Sequence, residues 1–290
     1  MERPLLRSML FVPGDQPRML AKAPVLEADA VILDVEDGVL ERDKPAARAG
    51  IEDAVRRGLR VPGTLWIRPN ALPTGMLEDD LLACLWPGVD GVVVPKGRTA
   101  RDVRLVDGIV RTLARDRGMA PLRVAALVET AAAVTAAGEI GRAADTLVAL
   151  LFGADDLAAE MGLTRSATND EVAVPRGQVA MAAHAVGCEA IDIVYTQVRD
   201  ADGFRRECQE GRRLGYTGKQ VVHPSQIAPA NTAFSPTEDE VLWARRIVDE
   251  YQASPRGALV VDGRMVDAPI VAQAQRVLRR ARRGGAAAGR

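Results

Sequence analysis

A chain of 290 residues is long for one ordinary domain, yet (β/α)8 barrels of roughly 250 residues are built around a single core. Apolar residues make up 48% and aromatic ones only 3%, so the interior has to be assembled from Ala, Val, Leu and Ile. Thirty-eight basic residues against thirty-nine acidic ones leave no field to draw in nucleic acid or a membrane surface, and the basic cluster Arg279-Arg-Ala-Arg-Arg283 is local.

Along the chain, apolar runs recur at Met9–Val12, Ala30–Val35, Thr64–Ile67, Gly91–Val94, Val124–Val128, Thr146–Phe152, Ala190–Val194 and Gln220–Val222. Short runs of this kind read as strands buried on both faces. The stretches between them carry helical periodicity, as at Leu77, Leu81, Leu82 and Leu85, or at Val103, Val106, Ile109, Val110 and Leu113. Alternating strands and helices force parallel pairing with right-handed crossovers, and eight such repeats close an α/β TIM barrel. An open doubly wound sheet is the runner-up, but no Gly-x-Gly-x-x-Gly follows any of these runs.

Beyond the eighth run, Ser235-Pro-Thr-Glu-Asp-Glu240 reads as a helix start with Pro in the first turn, and the helix continues through Val241 to Tyr251. Gly257 to Pro269 reads as a hairpin turning at Asp262-Gly263, followed by an amphipathic helix from about Pro269 to Arg283. The expected division is a catalytic barrel over 1–228, an extension over 229–283 and a disordered tail over 284–290. The extension is expected to be too small for a core of its own and to pack on the barrel or on a neighbouring subunit. Cys84, Cys188 and Cys208 have no metal or redox spacing and read as buried, idle thiols. The apolar run at Met9–Val12 is too short for a signal-peptide core or a membrane span, so the expected location is cytoplasmic.

The expected strands end in polar residues: Pro13-Gly-Asp15, Glu36-Asp37, Arg68-Pro-Asn70, Pro95-Lys96, Glu129-Thr130, Asp155-Asp156, Tyr195 and His223-Pro224. A barrel gathers these ends onto one face, so scattered signals become one site. Glu129 and one of Asp155 or Asp156 form a candidate pair of oxygen ligands for a hard divalent cation. Each acid could equally cap the helix that follows it. His223 in His-Pro reads as structural, and His184 has no motif around it.

Arg7-Ser-Met-Leu-Phe-Val-Pro-Gly14, Leu33-Asp-Val-Glu-Asp-Gly38, Ile67-Arg-Pro-Asn-Ala71, Val94-Pro-Lys96, Val128-Glu-Thr-Ala131, Phe152-Gly-Ala-Asp-Asp-Leu157, Gly218-Lys-Gln-Val-Val-His-Pro224 and Asp262-Gly-Arg-Met-Val-Asp-Ala-Pro269 stand in order along the chain. Together they resemble the citrate lyase beta subunit-like family of the HpcH/HpaI aldolase superfamily. The resemblance implies a TIM barrel, a Mg2+ ion with Mn2+ as a substitute, a CoA or acyl-carrier thioester substrate, and cleavage of the bond between the thioester's α and β carbons. It implies acetyl-CoA and a 2-keto acid as products from a substrate of the citramalyl-CoA or malyl-CoA type. Two alternatives stand beside it: the beta subunit of a citrate lyase complex, working with alpha and gamma subunits on a citryl-acyl carrier protein, and a noncatalytic barrel that binds CoA esters.

By the same resemblance, Glu129 and Asp156 are the metal ligands, and Asp155 is only a neighbour. Glu36 and Asp37 are implied to support the metal's surroundings, and Arg68 to hold a carboxylate and a thioester oxygen; an ion pair of Arg68 with Glu36 or Asp37 is compatible with that role. Relatives commonly carry Val or Ile directly after this Arg, where the present chain has Pro69. Arg7, Lys44, Arg48 and Lys96 resemble cationic positions near the carrier's phosphates. Asp267 resembles an acid that a neighbouring copy's carboxyl-terminal segment places over the site to exchange a proton with the acetyl methyl carbon, which implies a homo-oligomer, a trimer by resemblance. Its local alternative is a turn into the last helix.

Overall fold

The computed structural model describes residues 4–253 and 257–288. The chain divides into two compact units, one ending at Asn231 and the other beginning at Thr232.

The first unit is a closed barrel of parallel strands in sequential order: β1 (Ser8–Pro13), β2 (Ala30–Asp34), β3 (Thr64–Arg68), β4 (Gly91–Val94), β5 (Arg123–Val128), β6 (Leu147–Phe152), β7 (Glu189–Asp192) and β8 (Gly218–Val221). β1 pairs with both β2 and β8, which closes the ring. The open doubly wound alternative is thereby excluded. Around the barrel run α1 (Pro17–Lys22), α2 (Lys44–Arg56), α3 (Leu77–Cys84), α4 (Ala100–Asp116), α5 (Ala131–Thr135), α6 (Ala137–Ile140), α7 (Ala154–Met161), α8 (Ala173–Val186) and α9 (Ala201–Arg213). α10 (Ile227–Ala233) follows β8.

Local chemistry accounts for these elements. Every residue of β2 and of β6 is buried, as expected for strands covered by helices outside and by side chains within. α4 begins at a capping box in which the Thr99 hydroxyl accepts from the Asp102 N–H while the Asp102 carboxylate accepts from Thr99. It then buries Val103, Val106, Val110 and Ala114 at helical spacing.

The barrel interior contains Met9, Ala30, Ile32, Trp66, Val93, Ala125, Leu127, Ala149 and Ile191. Ala, Val, Leu and Ile dominate the core, but Trp66 and Phe152 are also fully buried. Trp66 fits because Gly91 lies against it: a Cβ on Gly91 would sit 2.4 Å from the indole Cε3. All three cysteines are buried, and none forms a disulfide among the described residues.

The second unit contains α11 (Glu238–Ala253), β9 (Ala258–Val261), β10 (Arg264–Asp267) and α12 (Ala268–Ala288). α11 starts later than its Pro suggests. Thr237 caps it, accepting from the Glu240 N–H at 3.2 Å while Glu240 accepts from the Thr237 N–H at 2.8 Å, so Pro236 precedes the cap. β9 and β10 form the expected antiparallel hairpin, with Asp262 at φ 48° and Gly263 at φ 76° in its turn. α12 extends past Arg283 to Ala288; residues 289 and 290 of the expected tail lie outside the described residues.

This unit has a core of its own, contrary to expectation. Val261, Val266 and Val271 are buried with Ala244 and Ile247, and Leu259, Ile270 and Val277 pack against them. The hairpin lies across two amphipathic helices, and the three elements together cover what each alone leaves exposed. Val260 and Met265 are the exceptions, 69% and 71% exposed, and they are cross-strand partners.

Candidate active site at the carboxyl ends of the strands

Parallel strands put all their carboxyl ends on one face of the barrel. β2 and β3 pair in register, Leu33 with Ile67 and Asp34 with Arg68, so their terminal residues lie side by side. The Asp34 carboxylate accepts from Arg68 Nε at 2.7 Å and Nη2 at 2.6 Å. It also accepts the backbone N–H groups of Glu36 and Gly38, both at 2.9 Å, which folds the loop after β2 around it. Gly38 is required for that turn, because a Cβ there would lie 2.4 Å from Asp34 Oδ2. The strands therefore fix a guanidinium, and the guanidinium's partner fixes Glu36.

Arg68 Nη1 lies 3.1 Å from Glu36 Oε2, and its guanidinium stacks 4.6 Å from the Phe11 ring centroid. The Arg68–Glu36 ion pair is thus present, secondary to the pair with Asp34. Asp37 does not pair with Arg68 and meets Lys96 instead.

Lys96 follows β4 and adopts a left-handed backbone, φ 51°. Its N–H donates to Glu129 Oε1 at 2.7 Å. Its ammonium lies 2.9 Å from Glu36, 2.9 Å from Asp37 and 3.5 Å from Asp156. Glu129 directly follows β5, and Asp156 lies in the first turn of α7. Gly153 makes room between them: a Cβ there would fall 2.5 Å from Glu129 Cβ and 2.7 Å from Oε2.

Glu129 is 1% exposed. Burial pushes its carboxyl well above the ordinary range, with repulsion from Asp156 and then Glu36 adding to the rise, against the Lys96 N–H and Arg68. Glu36 is raised as well, by burial first and by Asp37, with Arg68 and Lys96 opposing. Neither Glu36 oxygen is aligned for a hydrogen bond, although both lie within ion-pair range. Such a cluster carries more negative charge than its own cations settle. Among the described residues no group of three or more His, Cys, Asp or Glu side chains is arranged to hold a metal ion. A cation held by two carboxylates completes its shell with oxygens from outside the protein.

The expected site residues separate into two sets. Glu36, Asp37, Arg68, Lys96, Glu129 and Asp156 converge. Arg7, Lys44 and Arg48, expected near carrier phosphates, are committed elsewhere. Arg7 precedes β1 and so lies at the amino ends of the strands, where Nε and Nη2 donate to Asp29 at 2.8 Å each. Lys44 is buried and donates to the carbonyls of Val35 and Glu36 and to Asn70 Oδ1. Arg48 donates to the fully buried Asp80, which also accepts from the Asn70 N–H and side-chain amide. Pro69 lies just before this knot of contacts, and the neighbouring backbone remains bonded: the Val35 N–H donates to the Arg68 carbonyl at 3.0 Å.

Asp155 pairs with Arg165 at 2.8 Å and lines a separate cleft of about 450 Å³ with Asn169, Tyr195 and Glu207. His223 caps the turn after β8, its Nδ1 accepting from the Ser225 N–H, and His184 Nε2 lies 2.7 Å from the Gly215 carbonyl, so both histidines have structural partners. In the second unit Asp267 Oδ1 accepts from the Ile270 N–H at 3.3 Å, a cap at the start of α12.

Sequence reasoning missed Asp34, although it stands inside the quoted Leu33–Gly38 segment; an acid ending one strand next to an Arg ending the following strand was the available signal. It also missed a buried network between β7 and β8 and the helices α8 and α9 that cover them. Arg176 donates to Asp192 at 2.8 and 2.6 Å, and Lys219 donates to Glu207 at 2.6 Å and to the Ile193 carbonyl at 2.8 Å.

The decisive observation comes from comparison with known sequences: the profile of the HpcH/HpaI aldolase/citrate lyase family matches residues 7–224. The chain belongs to that family. Among relatives of this HpcH/HpaI-family chain, the citrate lyase subunit beta-like protein of Deinococcus radiodurans is 39% identical over 281 residues, covering 94% of this chain and 96% of the relative. The mitochondrial citramalyl-CoA lyase of Mus musculus is 31% identical over 289 residues, covering 94% of this chain and 85% of that protein. The crystal structure of CitE from Mycobacterium tuberculosis in complex with magnesium, acetoacetate and coenzyme A superimposes with a TM-score of 0.77 at 34% identity, covering 94% of this chain and 97% of that one. Among the described residues no helix is long and apolar enough to cross a membrane.

Proposed function

We propose that this chain is a Mg2+-dependent carbon–carbon lyase. Its substrate is a short-chain 3-hydroxyacyl-CoA thioester of the citramalyl-CoA or malyl-CoA type, and its products are acetyl-CoA and a 2-keto acid. The observation that carries the reading is the convergence of Glu129 and Asp156 with Glu36 and the Asp34-held Arg68 at one end of the barrel. The named activity of the mouse relative and the ligands of the M. tuberculosis CitE crystal structure support the same chemistry.

Glu129 and Asp156 would hold the Mg2+ ion, with Mn2+ able to substitute. The ion supplies a Lewis acid for the substrate oxygen on which charge changes as the bond breaks. Arg68, immobilised by Asp34, presents its guanidinium to the substrate's carboxylate and to the thioester oxygen that gains charge as an enolate forms. Glu36 and Asp37 border the pair and orient what enters by accepting hydrogen bonds.

We assign Asp267 to proton exchange with the acetyl methyl carbon, supplied by a second copy in a homo-oligomer, most simply a trimer. On the hairpin, Asp267 shares a face with Met265, Val260 and Ala258, while Leu259 and Val261 on the other face pack with α11 and α12. An acid beside two exposed apolar side chains suits a surface that closes over a partner and excludes water. The three buried thiols are compatible with a reducing, cytoplasmic location.

The test is acetyl-CoA release from citramalyl-CoA and malyl-CoA, measured with Mg2+ and with chelator. Metal-dependent release is expected; its absence with every CoA thioester would reject the reading. A second reading rests on relatives such as the citrate lyase subunit beta of Escherichia coli, 33% identical over 284 residues. It requires partner alpha and gamma subunits and a citryl-acyl carrier protein, and copurification with large partners would favour it.

A further inference from the structure

Only four of the 38 basic side chains are lysines: Lys22, Lys44, Lys96 and Lys219. In a chain that otherwise uses Arg, the positions that keep Lys are informative. Lys22 is exposed, whereas Lys44 and Lys219 are buried and donate to carbonyl or carboxylate oxygens. Lys96 differs from all three: its side chain is 32% exposed, and its ammonium contacts Glu36, Asp37 and Asp156. Its left-handed backbone, uncommon for a residue with a side chain, lets one residue place its N–H on Glu129 and its ammonium among the other three acids.

We propose that Lys96 is a built-in counter-ion for the metal site: in the metal-free protein its ammonium holds Glu36, Asp37 and Asp156 together, and it gives up Asp156 when a divalent cation enters. The inference rests on the function proposed above and adds a role that a cation near a carrier phosphate does not have. Asp156 cannot serve the ammonium and the metal fully at once, because two cations a few ångströms apart repel each other strongly in a partly buried site. A primary ammonium suits this task. It is a compact point charge on a flexible stem, able to withdraw, whereas a guanidinium locked in a fork, as Arg68 is by Asp34, stays in place. Without Lys96, the empty site would leave its acids to repel one another; with it, the site remains assembled before metal arrives. The cost is competition for the metal.

Two measurements test this on the full-length protein. Calorimetric titration with Mg2+ should show the Lys96→Met variant binding at least about tenfold more tightly than wild type, since the competing cation is gone. The metal-free variant should also melt at a lower temperature, and saturating Mg2+ should close that gap. Independently of any variant, limited acetylation of wild type followed by peptide mass spectrometry should show Lys96 labelling, relative to exposed Lys22, rising severalfold on Mg2+ addition. Equal or weaker Mg2+ binding by Lys96→Met, or Lys96 labelling that stays constant or falls, would overturn the proposal while leaving the metal site intact. Failure of the wild-type protein to bind Mg2+ would remove the metal reading itself, and this inference with it.

Discussion

Asp34 and Arg68 end neighbouring strands in register, and the carboxylate of one takes both 2.7 and 2.6 Å hydrogen bonds from the guanidinium of the other. The pair is largely buried, with side chains 2% and 11% exposed, so the attraction is little screened. Asp34 therefore aims Arg68 and shapes the loop that carries Glu36, without itself having to touch substrate.

The Asp34→Asn substitution keeps the shape and removes the charge. Loss of one charged hydrogen-bond partner, worth about 1.5–3 kcal/mol, should lower kcat/KM by roughly 10- to 100-fold. Mg2+ affinity by calorimetry should change little, because Glu129 and Asp156 are untouched. Steady-state kinetics indistinguishable from wild type would show that Arg68 needs no such support.

Glu129 gives a pH signature in the metal-free protein. Burial, followed by repulsion from Asp156 and Glu36, raises its pKa in the folded state, so the folded chain holds that proton more tightly than the unfolded one. Its contribution to stability is present below the ordinary carboxylate pKa and is lost as pH rises through the raised value. Glu129→Gln cannot ionise and escapes that loss. Thermal melts without metal should therefore show the variant gaining on wild type as pH rises from about 4 to 8. A gap that stays constant or shrinks would contradict the assigned direction.

Gly153→Ala tests whether space beside Glu129 matters. The added Cβ would lie 2.5 Å from Glu129 Cβ, so the glutamate must move. Overpacking of this kind costs about 1–3 kcal/mol, leaving a folded barrel with a displaced carboxylate. Mg2+ affinity should fall by at least about tenfold, equivalent to ~1.4 kcal/mol, with cooperative melting retained. Unchanged affinity would remove Glu129 from the expected ligands.

Asp267→Ala and Glu129→Ala should each be nearly inactive. If sites are shared between copies, mixing and refolding the two proteins should restore part of the activity, because some barrels with intact metal residues receive an intact Asp267. Mixed oligomers that form but remain inactive would end the shared-site proposal.

Much of this molecule was legible in the amino-acid sequence because strand and site signals are local. Runs such as Ala30–Leu33 and Leu147–Phe152 are apolar throughout, which only doubly covered strands tolerate, and the polar residues that follow each run had to gather where parallel strands end. Glu129, Glu36, Arg68 and the Asp155–Asp156 pair stood out in that way, and only the family resemblance chose Asp156 over Asp155. Tertiary structure decided which cations serve the site. Arg7, Lys44, Arg48 and Lys96 look alike as charges along the chain, but register sends Arg7 to Asp29 at the opposite face, packing buries Lys44 and ties Arg48 to Asp80, and a left-handed turn delivers Lys96 to the carboxylates. The same holds for the carboxyl-terminal unit, where apolar residues on two helices and a hairpin make a core only once the three are folded together. Apolar periodicity is written along one element at a time, whereas the partner of a charge is set by distances across elements that only the closed barrel fixes.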